Sequence, residues 1–178
     1  FFGDGYQKSK IIGDHRFWRI PVMDGEFLVQ DNVGVESGVA GGNIIIQAES
    51  QAVALDAAQR AVAGIDGLAG TITPFPGGVA RSGSKVGSRY KGLKASTSDG
   101  FCPTLRGRVE SKLYEGVNSA LEIVIDGVSE AAVSQAMSVA MHSAAGDQVI
   151  AIGAGNYGGQ LGKHHFHLRR LQEMNSNS

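Results

Sequence analysis

Hydrophobic and polar positions follow distinct rhythms along this chain. The stretch SALEIVIDG alternates, with Leu121, Ile123 and Ile125 on one side, which predicts a strand with one covered face. Glu122 falls on the other side, beside Val124. Two further segments, HRFWRIPV (His15–Val22) and GEFLVQDN (Gly25–Asn32), meet at Met23-Asp24-Gly25 and predict a hairpin. After Gly41 and Gly42, the β-branched run NIIIQAE predicts a buried strand. The period then changes. Leu55, Ala58, Val62 and Ile65 recur at helical spacing from Ser50, a candidate N-cap, with Gly64 and Gly67 as stop signals. GTITPF predicts the next strand.

The same succession returns. LEIVID is a strand, and Ser129 caps a helix whose apolar face is Val133, Ala136, Met137, Ala140, Met141 and Ala144. QVIAIGAG is the strand that follows, ended by NYGG. Two strand-helix-strand units in tandem give β-α-β-β-α-β. The predicted fold is therefore α+β: a ferredoxin-like split βαβ sandwich with an added N-terminal β-hairpin and a long loop insertion. Residues 1–40 form a connecting segment and hairpin, 41–172 the lobe, and 173–178 a frayed tail. Both helices should cover one sheet face and leave the other open. The insertion, Gly78 to Val117, holds eight of the sixteen Lys and Arg residues and the single cysteine. Long connections of this kind are usually functional or disordered.

Composition narrows the classes. A formal net charge of −1 over 178 residues provides no basic footprint for nucleic acid. No apolar run reaches the roughly 20 residues needed to span a bilayer. One cysteine rules out an intrachain disulfide and fits a reducing cytosol, so a cytoplasmic location is expected. The chain starts at Phe rather than Met and reads as a fragment lacking an N-terminal part.

The candidate chemistry is sparse. The glycine-rich basic insertion has no P-loop or dinucleotide signature, although backbone amides with Lys85 could meet an anionic ligand. Cys102, in GFCPT, has no histidine base nearby in sequence, and an inert buried thiol is the simpler reading. KHHFHL places His165 and His167 on one side of a strand without a third metal ligand at a telling spacing, so no metal site is expected. Glu122 fits a solvated sheet face or a carboxyl held for proton transfer, and the pattern alone leaves both open.

Longer blocks add to this. FFGDGYQ, WRIPVMDGEFLVQD, GVAGGN, AESQ, PFPGG, SKVGS, KASTSDGFCPT, EGVN, EIVIDG and AGNYGGQLGKHHFHL occur in this order. Together they resemble the formylmethanofuran–tetrahydromethanopterin formyltransferase family over nearly the whole chain. The resemblance implies two ferredoxin-like lobes, with this chain as the distal, C-terminal lobe of a fragment lacking the N-terminal lobe. It implies homotetramers with clefts where lobes meet, in one-carbon metabolism of methanogens and methylotrophs. Formyl would pass directly between methanofuran and tetrahydromethanopterin, both acting as substrates, with no cofactor. The strand glutamate of EIVIDG, Glu122, would be the catalytic carboxyl, covered by the partner lobe. Ser84, Lys85, Ser96, Thr97 and Asn156 would contact substrate, whereas Asp99 would order its own loop. Tyr114 stands where the family often has proline, which predicts a looser approach to the catalytic strand. The near-neutral charge points to a methylotrophic bacterium and a formyltransferase/hydrolase complex, without nucleic acid or membrane. The alternative is a ferredoxin-like ligand-binding or regulatory module that does no chemistry.

Overall fold

The computed structural model describes residues 5–84, 98–155 and 162–176. The chain divides into two compact units, Phe1–Ser37 and Gly38–Ser178. The first is an antiparallel meander of β1 (Lys8–Ile12), β2 (His15–Val22) and β3 (Gly25–Gln30). The expected hairpin is present: Val22 pairs with Gly25 across Met23-Asp24. Strand β1 gave no sequence signal because all five of its residues are exposed, so no buried face imposes a period. Its turn is legible in hindsight at Gly13-Asp14, where Gly13 takes φ +58°. Arg19 Nε donates to Glu26 Oε2 at 3.0 Å, and this hydrogen bond holds the Glu26 carboxyl below its ordinary range.

The second unit runs β4 (Val39–Ala48), α1 (Gln51–Ile65), β5 (Thr71–Ile72), β6 (Ser119–Gly127), α2 (Glu130–Ala144), β7 (Val149–Gly153) and α3 (Leu168–Ser176). Its sheet has the order β5-β6-β4-β7, with every neighbouring pair antiparallel. Each of the first two helices therefore links strands that are not adjacent. Ser50 and Ser129 cap α1 and α2 by accepting from the N–H groups of Val53 and Ala132, as their positions in sequence predict. The core joins the sheet face of Ile44, Ile46, Leu121, Ile123 and Ile125 to the alanine stripe of α1 and to Val133, Ala136, Met137, Ala140 and Ala144 of α2.

Four local expectations give way to packing. Leu55 is 44% exposed, and α1 buries Ala54, Ala57, Ala58, Ala61 and Ile65 instead. Small side chains let α1 lie flat on the sheet and against α2. Gly64 lies inside α1 rather than ending it, because any Cβ there would collide with Ser143 of α2; Gly67, with φ +86°, follows the helix end. Strand β5 stops at Ile72, since Pro74 has no N–H to donate to a ladder. The KHHFHL segment is not a strand. It leads into α3, burying Leu171 and packing Phe166 and Leu168 against the core. Ser138 of α2 donates to the Leu171 carbonyl at 2.8 Å. Helix α3 continues to Ser176, through the start of the expected frayed tail.

Arg60 of α1 caps the other helix. Its Nε donates to the carbonyl of Ser143 at 3.1 Å, and its Nη2 to those of Ala144 at 3.1 Å and Ala145 at 3.4 Å. These carbonyls end α2, where no intrahelical donor reaches them and a cation is favoured. Arg60→Ala should lower the unfolding free energy by ~1 kcal/mol, the usual size of a lost cap, read as a lower urea midpoint at unchanged slope.

Candidate active site

Strand pleating fixes what faces away from the helices. On β4 this set is Asn43, Ile45 and Gln47, and all three are buried. On β6 it includes Glu122, which pairs with Ile45 across the sheet. Glu122 is 6% exposed. The expectation that another lobe must cover it is corrected here, because this chain buries it. Residues 79–84 run along the free edge of β6 after β5 ends. Ala80 N donates to the Glu122 carbonyl at 2.7 Å, and Glu122 N to that of Ala80 at 3.0 Å. This backbone pairing places Ser82 against the carboxyl.

The carboxyl is held from two sides. Asn43 Nδ2 donates to Glu122 Oε1 at 2.5 Å, and Ser82 Oγ hydrogen-bonds Oε2. Asn43 is itself fixed, because its Oδ1 accepts from Gly155 N at 2.9 Å. Buried carboxylates persist where polar partners replace water; these two come from separate segments, and Gly155 joins a third to Asn43. The same two links tie the carboxyl to the chain leading into both loops nominated for substrate. Ser82 lies two residues before Ser84, and Gly155 directly precedes Asn156. Ser98 N donates to the Gly83 carbonyl at 3.0 Å, so the described ends flanking residues 85–97 are joined.

Of the nominated residues, Glu122 lies at this centre and Ser84 is exposed on the segment beside it. Lys85, Ser96, Thr97 and Asn156 lie outside the described residues. Sequence reasoning missed Asn43 and Ser82. Asn43 looked like the first residue of an apolar strand, and only the β4–β6 register brings it to a residue 79 positions away.

The rest of the open-face expectation is also corrected. The segment before β6 folds over Gln47: Tyr114 N donates to Gln47 Oε1 at 3.2 Å, and Arg106 Nη2 donates to the Val117 carbonyl at 2.5 Å. Proline at position 114 could not make the first of these bonds, so tyrosine secures the approach to β6 rather than loosening it. Asp99 Oδ1 accepts from Gly100 N at 2.9 Å, the local ordering expected of it. The Cys102 thiol donates to the Ser98 carbonyl at 3.4 Å. His165 and His167 are both exposed, and His164 pairs with Glu130. Among the described residues, no three His, Cys, Asp or Glu side chains group as metal ligands would.

Residues 25–171 match the family model described as "FTR, proximal lobe". The chain belongs to the formylmethanofuran–tetrahydromethanopterin formyltransferase family. Within this family it corresponds to the proximal lobe, which corrects the distal assignment. The formyltransferase of Methylococcus capsulatus is 52% identical over 175 residues, covering 96% of this chain and 59% of that protein. Two solved structures are similar. The formyltransferase from Methanosarcina barkeri has TM-score 0.70 at 44% identity, covering 96% of this chain and 59% of its own. The formyltransferase/hydrolase complex from Methylorubrum extorquens, in complex with methylofuran, has a chain with TM-score 0.69 at 49% identity, covering 96% and 58%. The chain thus spans about three-fifths of the length of the curated relatives it matches.

Proposed function

We propose that this chain supplies the proton-exchanging carboxyl for formyl transfer between formylmethanofuran and tetrahydromethanopterin, in one-carbon metabolism. Family membership supports the reaction, and the observation that carries the site is the buried Glu122 carboxyl on the sheet face away from the helices. An amine nitrogen attacks the formyl carbon, the carbonyl becomes a tetrahedral oxyanion, and the bond to the donor nitrogen then breaks. The attacking nitrogen must lose a proton and the departing nitrogen must gain one. Ionised Glu122 accepts the first proton and, protonated, returns one to the leaving nitrogen. Burial serves this cycle because it excludes competing water. Both coenzymes are substrates in this reading, and none of its steps needs a further cofactor.

The second unit is read as a ferredoxin-like split βαβ fold, supported by its β-α-β-β-α-β order and β5-β6-β4-β7 sheet. Ser84, Lys85, Ser96, Thr97 and Asn156 stay as proposed substrate contacts. Homotetramers, or assembly within a formyltransferase/hydrolase complex, are the proposed context. The deciding experiment is a formyl-transfer assay on the protein as its host makes it. Transfer supports the reading, and tight binding of either coenzyme with no transfer favours the non-catalytic module instead.

Cys102 tests whether transfer is direct. Its thiol is engaged by a backbone carbonyl, so Cys102→Ser should leave turnover within about a few-fold, whereas losing a covalent nucleophile costs ~10³-fold or more. A loss on that larger scale in steady-state assays would overturn direct transfer.

A further inference from the structure

The two oxygens of Glu122 face chemically different partners. The backbone N–H of Gly155 can only donate, so the Asn43 atom it meets at 2.9 Å is Oδ1. Asn43 therefore presents Nδ2 to Glu122 Oε1, at 2.5 Å. An amide nitrogen cannot accept a hydrogen bond, so no carboxyl proton can lie along that contact. Ser82 differs, because a hydroxyl both donates and accepts, and Ser82 is exposed whereas Asn43 is 4% exposed.

Resting on the formyl-transfer reading, we infer that Asn43 and Ser82 are positioning residues that divide the carboxyl between two tasks. Asn43 keeps Oε1 a permanent acceptor, and Oε2 takes up and releases the proton beside Ser82. When Glu122 is ionised, the Ser82 hydroxyl donates to Oε2. When the incoming amine's proton arrives on Oε2, the hydroxyl rotates and accepts from it. When that proton passes to the leaving nitrogen, Ser82 donates again and has kept its own proton throughout. The contacts to Asn43 and Ser82 survive each half of the cycle, so the carboxyl changes charge while keeping these two partners. The charged groups on the segments packed around Glu122 are, among the described residues, Arg81 beside Ala80 and Asp126 along β6; Asp126 Oδ1 accepts from Gly41 N at 2.8 Å. Strands β4 and β7 carry none.

The test compares Asn43→Asp, Ser82→Ala and Ser82→Thr in the intact enzyme, by formyl-transfer rates against pH and by the infrared carbonyl band of the protonated carboxyl, assigned by its absence in Glu122→Gln. Asn43→Asp keeps an acceptor for Gly155 N–H but sets a second carboxyl against Oε1, so the pair needs a shared proton. Relative to the parent, its kcat should fall towards high pH and recover as pH is lowered. Ser82→Ala should lower kcat ~10-fold with KM within about twofold, and Ser82→Thr should restore most of it. The band should shift in Ser82→Ala and return in Ser82→Thr. A profile for Asn43→Asp parallel to the parent's, or a band unmoved in Ser82→Ala, overturns the inference. A shifted band with unchanged rates in Ser82→Ala supports the proton's placement and overturns the positioning role of Ser82.

Discussion

Glu122→Gln should lower turnover by ~10²–10⁴-fold while KM changes little, the range expected when a general acid–base group is removed. The substitution is unusually clean at this site. Glutamine keeps the shape of the side chain, and its Oε1 can still accept from Asn43 Nδ2, held in place by Gly155. On the other side its amide meets the Ser82 hydroxyl, which can accept where it formerly donated. The bonds to Asn43 and Ser82 both persist, so stability should change far less than rate. What disappears is the capacity to take a proton from one nitrogen and give it to another. Steady-state kinetics and urea unfolding on the same preparation separate the two effects. Near-normal turnover at unchanged stability would make Glu122 a structural carboxyl that pins residues 79–84 to the sheet edge, and the proton-transfer reading would fall.

How much of this arrangement is legible in the sequence depends on how local its causes are. Strand β6 and helices α1 and α2 announce themselves by the period of their core-facing positions, and β4, buried on both faces, by its unbroken apolar run. Their serine caps are as local. Strand β1 has no buried face and writes no period, and α3 is a short, mostly polar helix ordered by the docking of Leu171 on α2. The site divides the same way. Glu122 is visible as a carboxyl in an apolar strand. Asn43 and Ser82 are not, because Asn43 reaches it through pairing of β4 with β6, and Ser82 through the Ala80 bridge at the sheet edge. Leu55 shows the converse: it sits at helical spacing yet stays exposed, because the alanines beside it make the closer contact.

That contrast sets the last prediction. Ile123→Ala should lower the unfolding free energy by about 2–5 kcal/mol, whereas Leu55→Ala should stay within about 0.5 kcal/mol. Each removes a four-carbon aliphatic side chain down to its Cβ, so any difference in outcome comes from surroundings. Ile123 is 0% exposed, pairs with Ile44 and stands in the core cluster beneath both helices. Truncating it loses the transfer free energy of the missing methyl groups and leaves a cavity that rigid neighbouring strands cannot close. Against a total stability of about 5–15 kcal/mol, that is a large fraction. Leu55 is 44% exposed and so has far less burial to lose than Ile123, and alanine has the higher helix propensity. Ile123 also neighbours Glu122 along β6, with its side chain on the opposite face, so the cavity should loosen the strand that carries the carboxyl. At temperatures where the variant stays folded, its kcat should fall by less than that of Glu122→Gln. Urea midpoints for both alanine variants check the first claim. A cost for Leu55→Ala equal to that for Ile123→Ala would mean that α1 buries the Leu55 face, contrary to the packing described.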